Sequence, residues 1–411
     1  MEMTTTIPIL ENRRILLGVT GSIAAYKAAD LASRLTQAGM QVDVILSAAA
    51  RKFVTPLTFQ SVTGRKAFTE SDLWGEDAHI LHVGLVEGAD AFMIAPATAN
   101  TIAKLATGQA ESLLTLTALA TRCPLIVAPA MDVGMYEHIA TQENVKILRE
   151  RGVIFAGPAE GRMASGLIGK GRMLEPIELI GTLRKVLGQA GPLHGRKIVV
   201  TAGGTHEPVD PVRVMANRSS GKQGFSLAQA AIDCGGSVVL IAGPTMLPAP
   251  VGARRIDVTS AAEMLEATKE NVENADVLLM AAAVADFRPS ETATEKIKRK
   301  KGVPEITLER TDDILAAVTK LKAKTGWPRL IVGFAAESQN LIENAQNKLE
   351  EKGLDLVVAN DITAADAGFA VDTNRVTLLD RAGGREKLPL MAKTAVAEKV
   401  LQRVVALLDA A

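Results

Sequence analysis

The segment Arg14-Ile-Leu-Leu-Gly18-Val-Thr-Gly21-Ser22 decides the fold of the first half of the chain. A short apolar run that suits a buried strand ends in glycine and hydroxyl residues, and a segment with helical periodicity follows it. Apolar residues recur there at spacings of four, three and four from Ala24 to Leu35, which predicts a helix with one apolar face. A second apolar run at Val42–Leu46 completes a strand–helix–strand unit, and such units build parallel sheets.

The second half of the chain opens on the same kind of unit. Lys197-Ile-Val-Val-Thr201-Ala-Gly203-Gly204 leads through a long loop to a helix predicted from about Phe225, and a strand at Val238–Ala242 follows. Gly188–Gly195 separates the two halves, because glycine and proline cluster there and a strand begins directly afterwards. We therefore predict an α/β protein with mainly parallel sheets, built as two Rossmann-like three-layer domains over residues 1–190 and 191–411. Further predicted strands, buried on both faces, are Ala91–Ala95, Leu125–Ala128, Val277–Met280, Leu330–Val332 and Leu356–Ala359.

The composition of the 411 residues excludes several classes of protein. Hydrophobic residues make up 47% of the chain, which is too many for a disordered protein. Basic and acidic residues number 46 each and aromatic residues make up 3%, so we expect no nucleic-acid partner. Because there are only two cysteines, Cys123 and Cys234, a reducing cytoplasmic location is favoured. We expect neither a signal peptide nor a membrane span, since no suitable apolar run is present.

Two loops in the first half are candidates for holding a nucleotide. Gly18–Ala24 is a strand-to-helix turn whose backbone N–H groups and Ser22 hydroxyl suit a phosphate. The turn lacks the dinucleotide pattern G-x-G-x-x-G, and Ser47 rather than an acidic residue ends the next strand, which favours a mononucleotide. Pro96–Thr101 follows a buried strand with small and hydroxyl residues that leave room for a flat ring. Glycines that only shape the first turn, and a simple helix cap in the second loop, are the alternative interpretations.

These loops, together with Ala128–Met131 and Gly166–Arg172, resemble the homo-oligomeric flavin-containing cysteine decarboxylases, and the phosphopantothenoylcysteine decarboxylases in particular. The resemblance implies that FMN binds between subunits of a trimer. It also implies that FMN oxidises the substrate thiol to a thioaldehyde, which loses CO2 before the hydride is returned to the enethiolate. His82 is the implied active-site base, whereas His79 is expected to be structural. The residues that the resemblance assigns to FMN are Gly21, Ser22, Ile23, Ser47, Pro96, Ala97, Thr98 and Asn100.

Two positions depart from the motifs of that family. The family segment Pro-x-Met-Asn-x-x-Met-Trp, which binds the substrate carboxylate, is Pro129-Ala-Met131-Asp132-Val-Gly-Met135-Tyr136 in this chain. An ionised Asp132 repels a carboxylate, so it must be protonated, be bridged by a cation or contact another group. Ser165 replaces the cysteine that the family often uses as a proton donor, and a hydroxyl is a much weaker acid than a thiol. Both residues are expected at the catalytic centre.

The second half contains segments with phosphate-binding character. Asn217–Gly224 is rich in glycine and serine and precedes a helix, so it offers N–H and hydroxyl donors. Ala281–Pro289 follows a strand with small residues against which a nucleotide can lie, and the basic run Lys296–Lys301 comes soon after. Lys348 and Lys352 lie on one helix face, where both can reach one phosphate group. A flexible loop and a solvated basic surface are the alternative interpretations.

With the segment Thr201–Arg213, these motifs resemble phosphopantothenate–cysteine ligase over nearly the whole second half. The resemblance implies that the carboxylate of 4′-phosphopantothenate attacks the α-phosphate of CTP in the presence of Mg²⁺. The products of that step are an acyl-CMP and pyrophosphate, and the amine of L-cysteine then displaces CMP. Asn217 is implied to act on the acyl-nucleotide, and Arg213 to support it across a dimer contact; metal ligands are not assigned. The implied nucleotide-binding residues are Ala281, Ala282, Asp286, Lys296, Thr311, Asp312, Asp313, Ile314, Phe334, Lys348 and Lys352.

The two resemblances describe consecutive steps of coenzyme A biosynthesis that end in 4′-phosphopantetheine. A trimeric decarboxylase joined to a dimeric ligase implies a closed homo-oligomer such as a dodecamer, without nucleic-acid or membrane partners. In one alternative, the first half is a flavin-binding scaffold or regulatory domain beside an active ligase, because Asp132 and Ser165 depart from the motifs. In another, the chain is a two-domain nucleotide-binding oxidoreductase, although the dinucleotide pattern is missing.

Overall fold

A computed structural model describes residues 7–74, 80–298, 305–337, 340–361 and 371–410. The chain divides into two compact units, Met1–Leu187 and Gly188–Ala411, so the division lies just before the predicted boundary at residue 190. Each unit is built around its own sheet. In the parts of the chain that the structure describes, no helix has the length and apolar character needed to cross a membrane.

The first unit alternates strands with helices along most of its length. Two 3-10 helices, Ala50–Lys52 and Glu70–Trp74, add short turns between these elements. The elements in chain order are β1 (Arg14–Val19), α1 (Ala25–Gln37), β2 (Gln41–Leu46), α2 (Pro56–Thr63), β3 (Ala67–Phe68), α3 (Leu81–Val86), β4 (Ala91–Ala97), α4 (Ala99–Thr107), α5 (Leu113–Ala120), β5 (Leu125–Pro129), α6 (Val133–Glu137), α7 (Ile139–Glu150), β6 (Ile154–Phe155), β7 (Ala159–Arg162), β8 (Ile168–Arg172) and α8 (Pro176–Gly188).

The sheet of the first unit has the order β3-β2-β1-β4-β5-β6, and all its described pairings are parallel. Successive residues of β1 enter opposite cores: Ile15 and Leu17 belong to one, and Leu16 belongs to the other. All three are fully buried, because helices cover both faces of the sheet. The strand order reverses at β1, which pairs with β2 on one side and β4 on the other, and ligands of α/β sheets bind at such reversals.

The second unit contains a larger sheet and three two-stranded ribbons within its described residues. Its elements are β9 (Lys197–Ala202), β10 (His206–Pro208), β11 (Val214–Ala216), α9 (Lys222–Asp233), β12 (Ser237–Ala242), β13 (Arg254–Asp257), α10 (Ala261–Val272), β14 (Val277–Met280), β15 (Phe287–Pro289), β16 (Leu308–Arg310), α11 (Ile314–Thr325), β17 (Leu330–Glu337), α12 (Leu341–Glu351), β18 (Leu356–Asp361), β19 (Thr373–Asn374), β20 (Val376–Asp380), β21 (Arg385–Lys387), β22 (Met391–Ala392) and α13 (Lys393–Asp409).

The eight strands of the larger sheet have the order β13-β12-β9-β14-β17-β18-β20-β21. The pairings from β13 to β18 are parallel, and those of β20 with β18 and β21 are antiparallel. Strand order again reverses at the first strand of the unit, β9, which lies between β12 and β14. The predicted α/β class with two Rossmann-like, mainly parallel domains is therefore confirmed.

Among the predicted element bounds, two differ most from the structure. The helix expected from about Phe225 begins at Lys222, because Gly221 has a φ of 75° and turns the chain directly into the helix. The strand expected at Leu330–Val332 continues to Glu337, because its pairing with β18 extends along that whole segment. Both differences lengthen elements that border the candidate sites.

Candidate active sites

In the first unit, the loops after β1, β2 and β4 meet at the carboxyl edge of the sheet. β1 and β4 are neighbouring strands on either side of the reversal in strand order, so their loops border one crevice. The Ser22 hydroxyl accepts a hydrogen bond from the Ala24 N–H at 3.3 Å. The Ser47 hydroxyl accepts one from the Ala50 N–H at 3.2 Å. Both hydroxyls, which the resemblance assigns to FMN, are therefore fixed by the first turns of their own loops.

Thr20, which the sequence analysis did not select, joins two of these loops. Its hydroxyl donates to the Pro96 carbonyl at 2.7 Å and accepts from the Thr98 N–H at 3.2 Å. The next residue, Gly21, has no room for a side chain, because a Cβ there would lie 2.4 Å from the Cβ of Ala49. The loop after β1 is thus held close to the loop after β4 by Thr20 and close to the loop after β2 at Gly21.

The remaining predicted flavin contacts differ in exposure. Pro96 and Ala97 are buried in β4, whereas Ile23 and Asn100 are exposed at the carboxyl edge. Thr98 caps α4, since its hydroxyl accepts the Thr101 N–H at 3.3 Å. The helix-cap interpretation is therefore correct for Thr98.

His82 lies on the short helix α3, which precedes β4. The side chain is half-buried, and Leu85 of the same helix packs into the core beside it. The helix follows Ile80, whose φ of 61° sets the direction in which the chain enters it. His79 lies outside the described residues.

Asp132 and Ser165, the two departures from the decarboxylase motifs, contact each other. The Ser165 hydroxyl donates to Oδ2 of Asp132 at 2.6 Å. Oδ1 of Asp132 accepts the Gly134 N–H at 3.1 Å and caps α6. Of the three possibilities considered for Asp132, contact with another group is the one that the structure shows.

The hairpin that carries Ser165 packs closely against the loop that carries Asp132. The Met131 N–H donates to the Gly171 carbonyl at 3.0 Å. A Cβ at Gly171 would lie 2.3 Å from the Met131 carbonyl oxygen, so glycine is required there. Backbone contact therefore fixes the base of the hairpin β7–β8, and the Ser165–Asp132 hydrogen bond fixes its tip.

In the second unit, a cleft of about 920 Å³ opens along the loop after β14 and the last residues of β17 and β18. Its wall combines the Ser219–Gly224 loop with small residues after β14. Most of the predicted ligase residues line it, although they come from distant parts of the sequence. The predicted residues that line the cleft are Asn217, Ala281, Ala282, Asp286, Thr311, Asp312, Asp313, Ile314, Phe334, Lys348 and Lys352.

Hydrogen bonds tie three walls of this cleft together. The Asn217 side-chain amide donates to the Val284 carbonyl at 2.9 Å. The Thr311 hydroxyl donates to the Ala285 carbonyl at 2.5 Å. The segment after β14 therefore holds both Asn217, which is implied to act on the acyl-nucleotide, and Thr311, one of the implied nucleotide-binding residues.

Lys348 and Lys352 each bind a protein acceptor. The Lys348 ammonium donates to the Phe334 carbonyl at 2.7 Å, and the Lys352 ammonium lies 2.6 Å from Oδ2 of Asp313. Burial by itself raises the pKa of Asp313, but the Lys352 ammonium and the Ala316 N–H outweigh it, so this pKa lies below its ordinary value. The same hydrogen bond raises the pKa of Lys352. Both lysines are therefore held by acceptors of the cleft wall in the described structure.

Arg213 and Lys296 are outside the set of residues that line the cleft. Arg213 and the residue after Lys296 are tied to Asp210, whose side chain is buried and accepts the Val212 and Arg213 N–H groups at 2.8 Å each. Asp210 also accepts the Ile297 N–H at 3.2 Å and pairs with the Arg213 guanidinium at 3.2 Å. It thereby joins the loop of Arg213 to the segment of Lys296, whose continuation at residues 299–301 lies outside the described residues.

Sequence reasoning also missed residues at one end of the cleft. Lys222, Gln223, Asn374 and Lys393 line this end. Lys222 and Gln223 belong to the glycine- and serine-rich loop, so a signal was available for them. Asn374 and Lys393 come from segments without a motif. Within the described ranges, no three histidine, cysteine or acidic side chains gather in a way suited to a metal ion.

Known proteins resemble the chain over nearly its full length. Residues 7–188 match the Flavoprotein family, and residues 193–408 match the family described as DNA/pantothenate metabolism flavoprotein C-terminal domain. The coenzyme A biosynthesis bifunctional protein CoaBC of Bacillus subtilis (strain 168) is 43% identical over 402 residues, 97% of this chain and 98% of that protein. The protein of the same name from Mycobacterium tuberculosis (strain CDC 1551 / Oshkosh) is 43% identical over 409 residues, 96% of this chain and 97% of that protein. A crystal structure of the C-terminal domain of a CoaBC protein is 38% identical, with a TM-score of 0.46, and covers 54% of this chain and 100% of that one.

Proposed function

The chain belongs to the family of coenzyme A biosynthesis bifunctional proteins CoaBC, and we propose that its two halves carry the two activities of this family in chain order. Residues 1–190 form the FMN-dependent phosphopantothenoylcysteine decarboxylase, and residues 191–411 form the phosphopantothenate–cysteine ligase. The cleft of the second unit carries the proposal, because it gathers Asn217, Phe334 and Lys352 from separate motifs. Its volume of about 920 Å³ suits a nucleotide together with an acyl substrate.

The ligase reaction proceeds in two displacements. A carboxylate oxygen of 4′-phosphopantothenate attacks the α-phosphorus of CTP, and the bond from that phosphorus to the β-phosphate oxygen breaks. Pyrophosphate leaves with the electron pair. The amine of L-cysteine then attacks the acyl carbon, CMP leaves with its oxygen, and the amine nitrogen loses a proton. The first displacement converts a poor acyl donor into a good one.

The residues of the cleft have distinct parts in this reaction. The Phe334 ring stacks on the base beside the loop of Thr311–Ile314, and Ala281 and Ala282 allow the nucleotide to approach the backbone. Asn217 orients the acyl group, with its amide held by the Val284 carbonyl. We assign Mg²⁺ to the phosphates of the nucleotide and to water, because Mg²⁺ commonly uses few protein ligands in such sites.

The first unit fits FMN through the chemistry of its donors. Hydroxyls of Ser22 and Ser47 and the N–H groups of the turn at Gly21 suit the phosphate group. When bound, FMN supplies the capacity to accept a hydride from the substrate and return it. His82 removes the proton of the substrate thiol. Asp132 holds Ser165 in place through their hydrogen bond, and Ser165 contacts the carboxyl end of the substrate and delivers the final proton.

The assembly and the location of the enzyme complete the proposal. We assign the trimeric contact of the decarboxylases to the first unit, in which Tyr26, Leu57 and Ile139 are exposed apolar side chains. Val212 and Val214, exposed on either side of Arg213, support a dimeric contact of the second unit. Combining the two contacts produces a dodecamer. We assign the enzyme to the cytoplasm, since Cys123 and Cys234 are both free thiols.

A nucleotide-substitution assay tests the ligase assignment. The purified protein is incubated with 4′-phosphopantothenate, L-cysteine, Mg²⁺ and either CTP or ATP, and pyrophosphate and 4′-phosphopantothenoylcysteine are quantified. We expect both products to depend on CTP. Equal rates with ATP contradict the CTP assignment, and pyrophosphate without the cysteine conjugate contradicts the second displacement.

A further inference from the structure

Two segments that border the ligase cleft run side by side in the second unit. One of them follows β9, and the other follows β14. Close to the sheet, the Ala283 N–H donates to the Gly203 carbonyl at 2.8 Å. Further out, the Ala293 N–H donates to the Val209 carbonyl at 3.1 Å. The two segments therefore hold each other over a distance of several residues beyond the ends of their strands.

The carboxylate of Asp210 lies at the far end of this pairing. Its side chain has no exposed surface, and its two oxygens have different partners. Oδ1 accepts the Val212 and Arg213 N–H groups at 2.8 Å each, so it shapes a turn within the first segment. Oδ2 accepts the Ile297 N–H of the second segment at 3.2 Å and pairs with the Arg213 guanidinium at 3.2 Å. One buried group thus fixes a backbone position of the second segment and a guanidinium of the first.

Asp210 is charged although it is buried. Burial by itself raises its pKa, but the N–H groups of Val212, Ile297 and Arg213 and the Arg213 guanidinium outweigh it, so this pKa lies below its ordinary value. A buried carboxylate is costly unless its donors stay in place. Asp210 therefore constrains the positions of Ile297 and Arg213 more strongly than a neutral side chain of the same size would.

The groups that Asp210 fixes belong to both steps of the ligase reaction. Ile297 directly follows Lys296, whose side chain is exposed and which the resemblance to the ligases assigns to the nucleotide. Arg213 is assigned to the transfer step, in support of Asn217. A long side chain loses rotational freedom when it binds, and this cost is smaller when its backbone or its charged end is already held. The contacts of Asp210 therefore suit a residue that prepares Lys296 and Arg213 for their substrates.

Taking the proposed ligase function as given, we propose that Asp210 is a positioning residue for both displacements. Through the Ile297 N–H it sets the backbone from which Lys296 reaches the nucleotide in the first displacement. Through its ion pair it orients the Arg213 guanidinium, which supports the second. Asp210 acts through these residues and not on the substrates, because its carboxylate is buried among protein donors.

Asp210→Asn separates this role from the shape of the loop. The amide oxygen in place of Oδ1 can still accept the Val212 and Arg213 N–H groups, whereas an NH₂ group in place of Oδ2 can neither accept from Ile297 nor pair with a guanidinium. We expect the KM for CTP to rise about fivefold and transfer to L-cysteine in a single turnover to slow about fivefold. Asp257→Asn is the matched control, because Asp257 is an exposed aspartate of the same unit that also pairs with an arginine.

Double-mutant cycles show whether Asp210 acts through the two assigned residues. Added to Lys296→Met, Asp210→Asn should change the KM for CTP by less than about twofold, and added to Arg213→Met it should change the transfer rate by less than about twofold. Pyrophosphate release gives the KM, and rapid quenching followed by mass spectrometry gives the transfer rate. A purely structural role would impair these backgrounds as much as the unaltered protein, and that result would overturn the inference. An unchanged KM or an unchanged transfer rate for Asp210→Asn alone would also overturn it.

If Asp210→Asn does not fold, Thr292→Val decides. Thr292 is exposed, and its hydroxyl donates to the Pro208 carbonyl at 3.1 Å, so this substitution breaks a neighbouring tie between the same two segments. The KM for CTP should rise about threefold in the unaltered protein and by less than about 1.5-fold in Lys296→Met, and an unchanged KM would overturn the inference. An unaltered protein that releases no pyrophosphate from CTP and 4′-phosphopantothenate would instead contradict the proposed ligase function.

Discussion

The Ser165 hydroxyl donates a hydrogen bond of 2.6 Å to Asp132, and so joins the two positions at which the first unit departs from the decarboxylase motifs. The other carboxylate oxygen of Asp132 caps α6 through the Gly134 N–H. The two replacements therefore form one interacting pair. Asp132 holds the hairpin tip in place, and Ser165 occupies one of the acceptor positions that would otherwise face the substrate.

The charge of Asp132 should weaken substrate binding. Asp132→Asn keeps an oxygen that can cap α6 and another group that can contact Ser165, but it removes the negative charge. We expect the KM for 4′-phosphopantothenoylcysteine to fall about twofold to fivefold, as for the loss of one exposed like-charge contact. The KM is measured from steady-state CO2 release, and Glu160→Gln on the same hairpin is the control. A higher KM for Asp132→Asn would show that the charge assists binding.

The acidity of residue 165 should limit the last reduction. Ser165→Cys introduces a stronger acid at the same position, so the final product should form faster relative to the decarboxylated species that lacks two hydrogens. Mass spectrometry of a single turnover gives this ratio. Ser165→Ala is the control, because it removes the hydrogen bond to Asp132 without adding an acid. Equal ratios for the cysteine variant and the unaltered protein would point to another proton donor.

His82 should affect one activity only. His82→Gln keeps the size of the side chain but removes the base, so CO2 release should fall about 100-fold or more while ligation is unchanged. His194→Gln is the matched control, because His194 is an exposed histidine in the second unit. Separate assays of CO2 and of 4′-phosphopantothenoylcysteine give the two rates. A parallel loss of both would indicate damage to the fold instead.

Asn217 should act after pyrophosphate has left. In Asn217→Asp the side chain can no longer donate to the Val284 carbonyl, because a carboxylate has no N–H group. We expect pyrophosphate release in the first turnover to continue, transfer to cysteine to slow at least about tenfold, and acyl-CMP to accumulate. Rapid quenching followed by mass spectrometry detects that species. Asn347→Asp, on the exposed face of α12, is the control, and a normal turnover rate for Asn217→Asp would remove the assigned role.

The Asp313–Lys352 pair should make stability depend on pH. The pKa of Asp313 is lower in the folded protein than in the unfolded chain, where it is about 4. The pair with Lys352 therefore stabilises the folded protein above about pH 4, and this stabilisation is lost as the pH falls through the pKa of the folded state. Asp313→Asn keeps the cap of α11 and removes the charge. Its Tm should be lower than that of the unaltered protein at pH 7, and this difference should shrink as the pH falls below about 4. Thermal unfolding measures it, with Asp312→Asn as control; a constant difference would contradict the assignment.

Local patterns in the sequence predicted the sheets well. The strand β1 could be recognised because Ile15–Val19 is an apolar run that is buried on both faces of the sheet. The start of α9 was harder to predict from the sequence, since it depends on the positive φ of Gly221. The end of β17 was missed because it depends on pairing with β18, a contact between distant segments.

The candidate sites were predictable where one motif carried several residues. Asn217 and Phe334 each lie in a motif and also line the cleft. Lys393 has no motif around it, and an isolated lysine is ordinarily a surface residue, so its burial emerges only from the packing of α13 against α9. The contact of Asp132 with Ser165 depends on the hairpin register of β7 and β8, which the residue types alone do not determine.

The most direct test of the bifunctional assignment is mass spectrometry of one complete reaction. Purified protein is mixed with FMN, Mg²⁺, CTP, L-cysteine and 4′-phosphopantothenate, and its fold and flavin content are verified beforehand. We predict conversion to 4′-phosphopantetheine, with CMP, pyrophosphate and CO2 as the other products. Accumulation of 4′-phosphopantothenoylcysteine without further change would contradict the decarboxylase assignment of the first unit, and the absence of any conjugate would contradict the ligase assignment of the second.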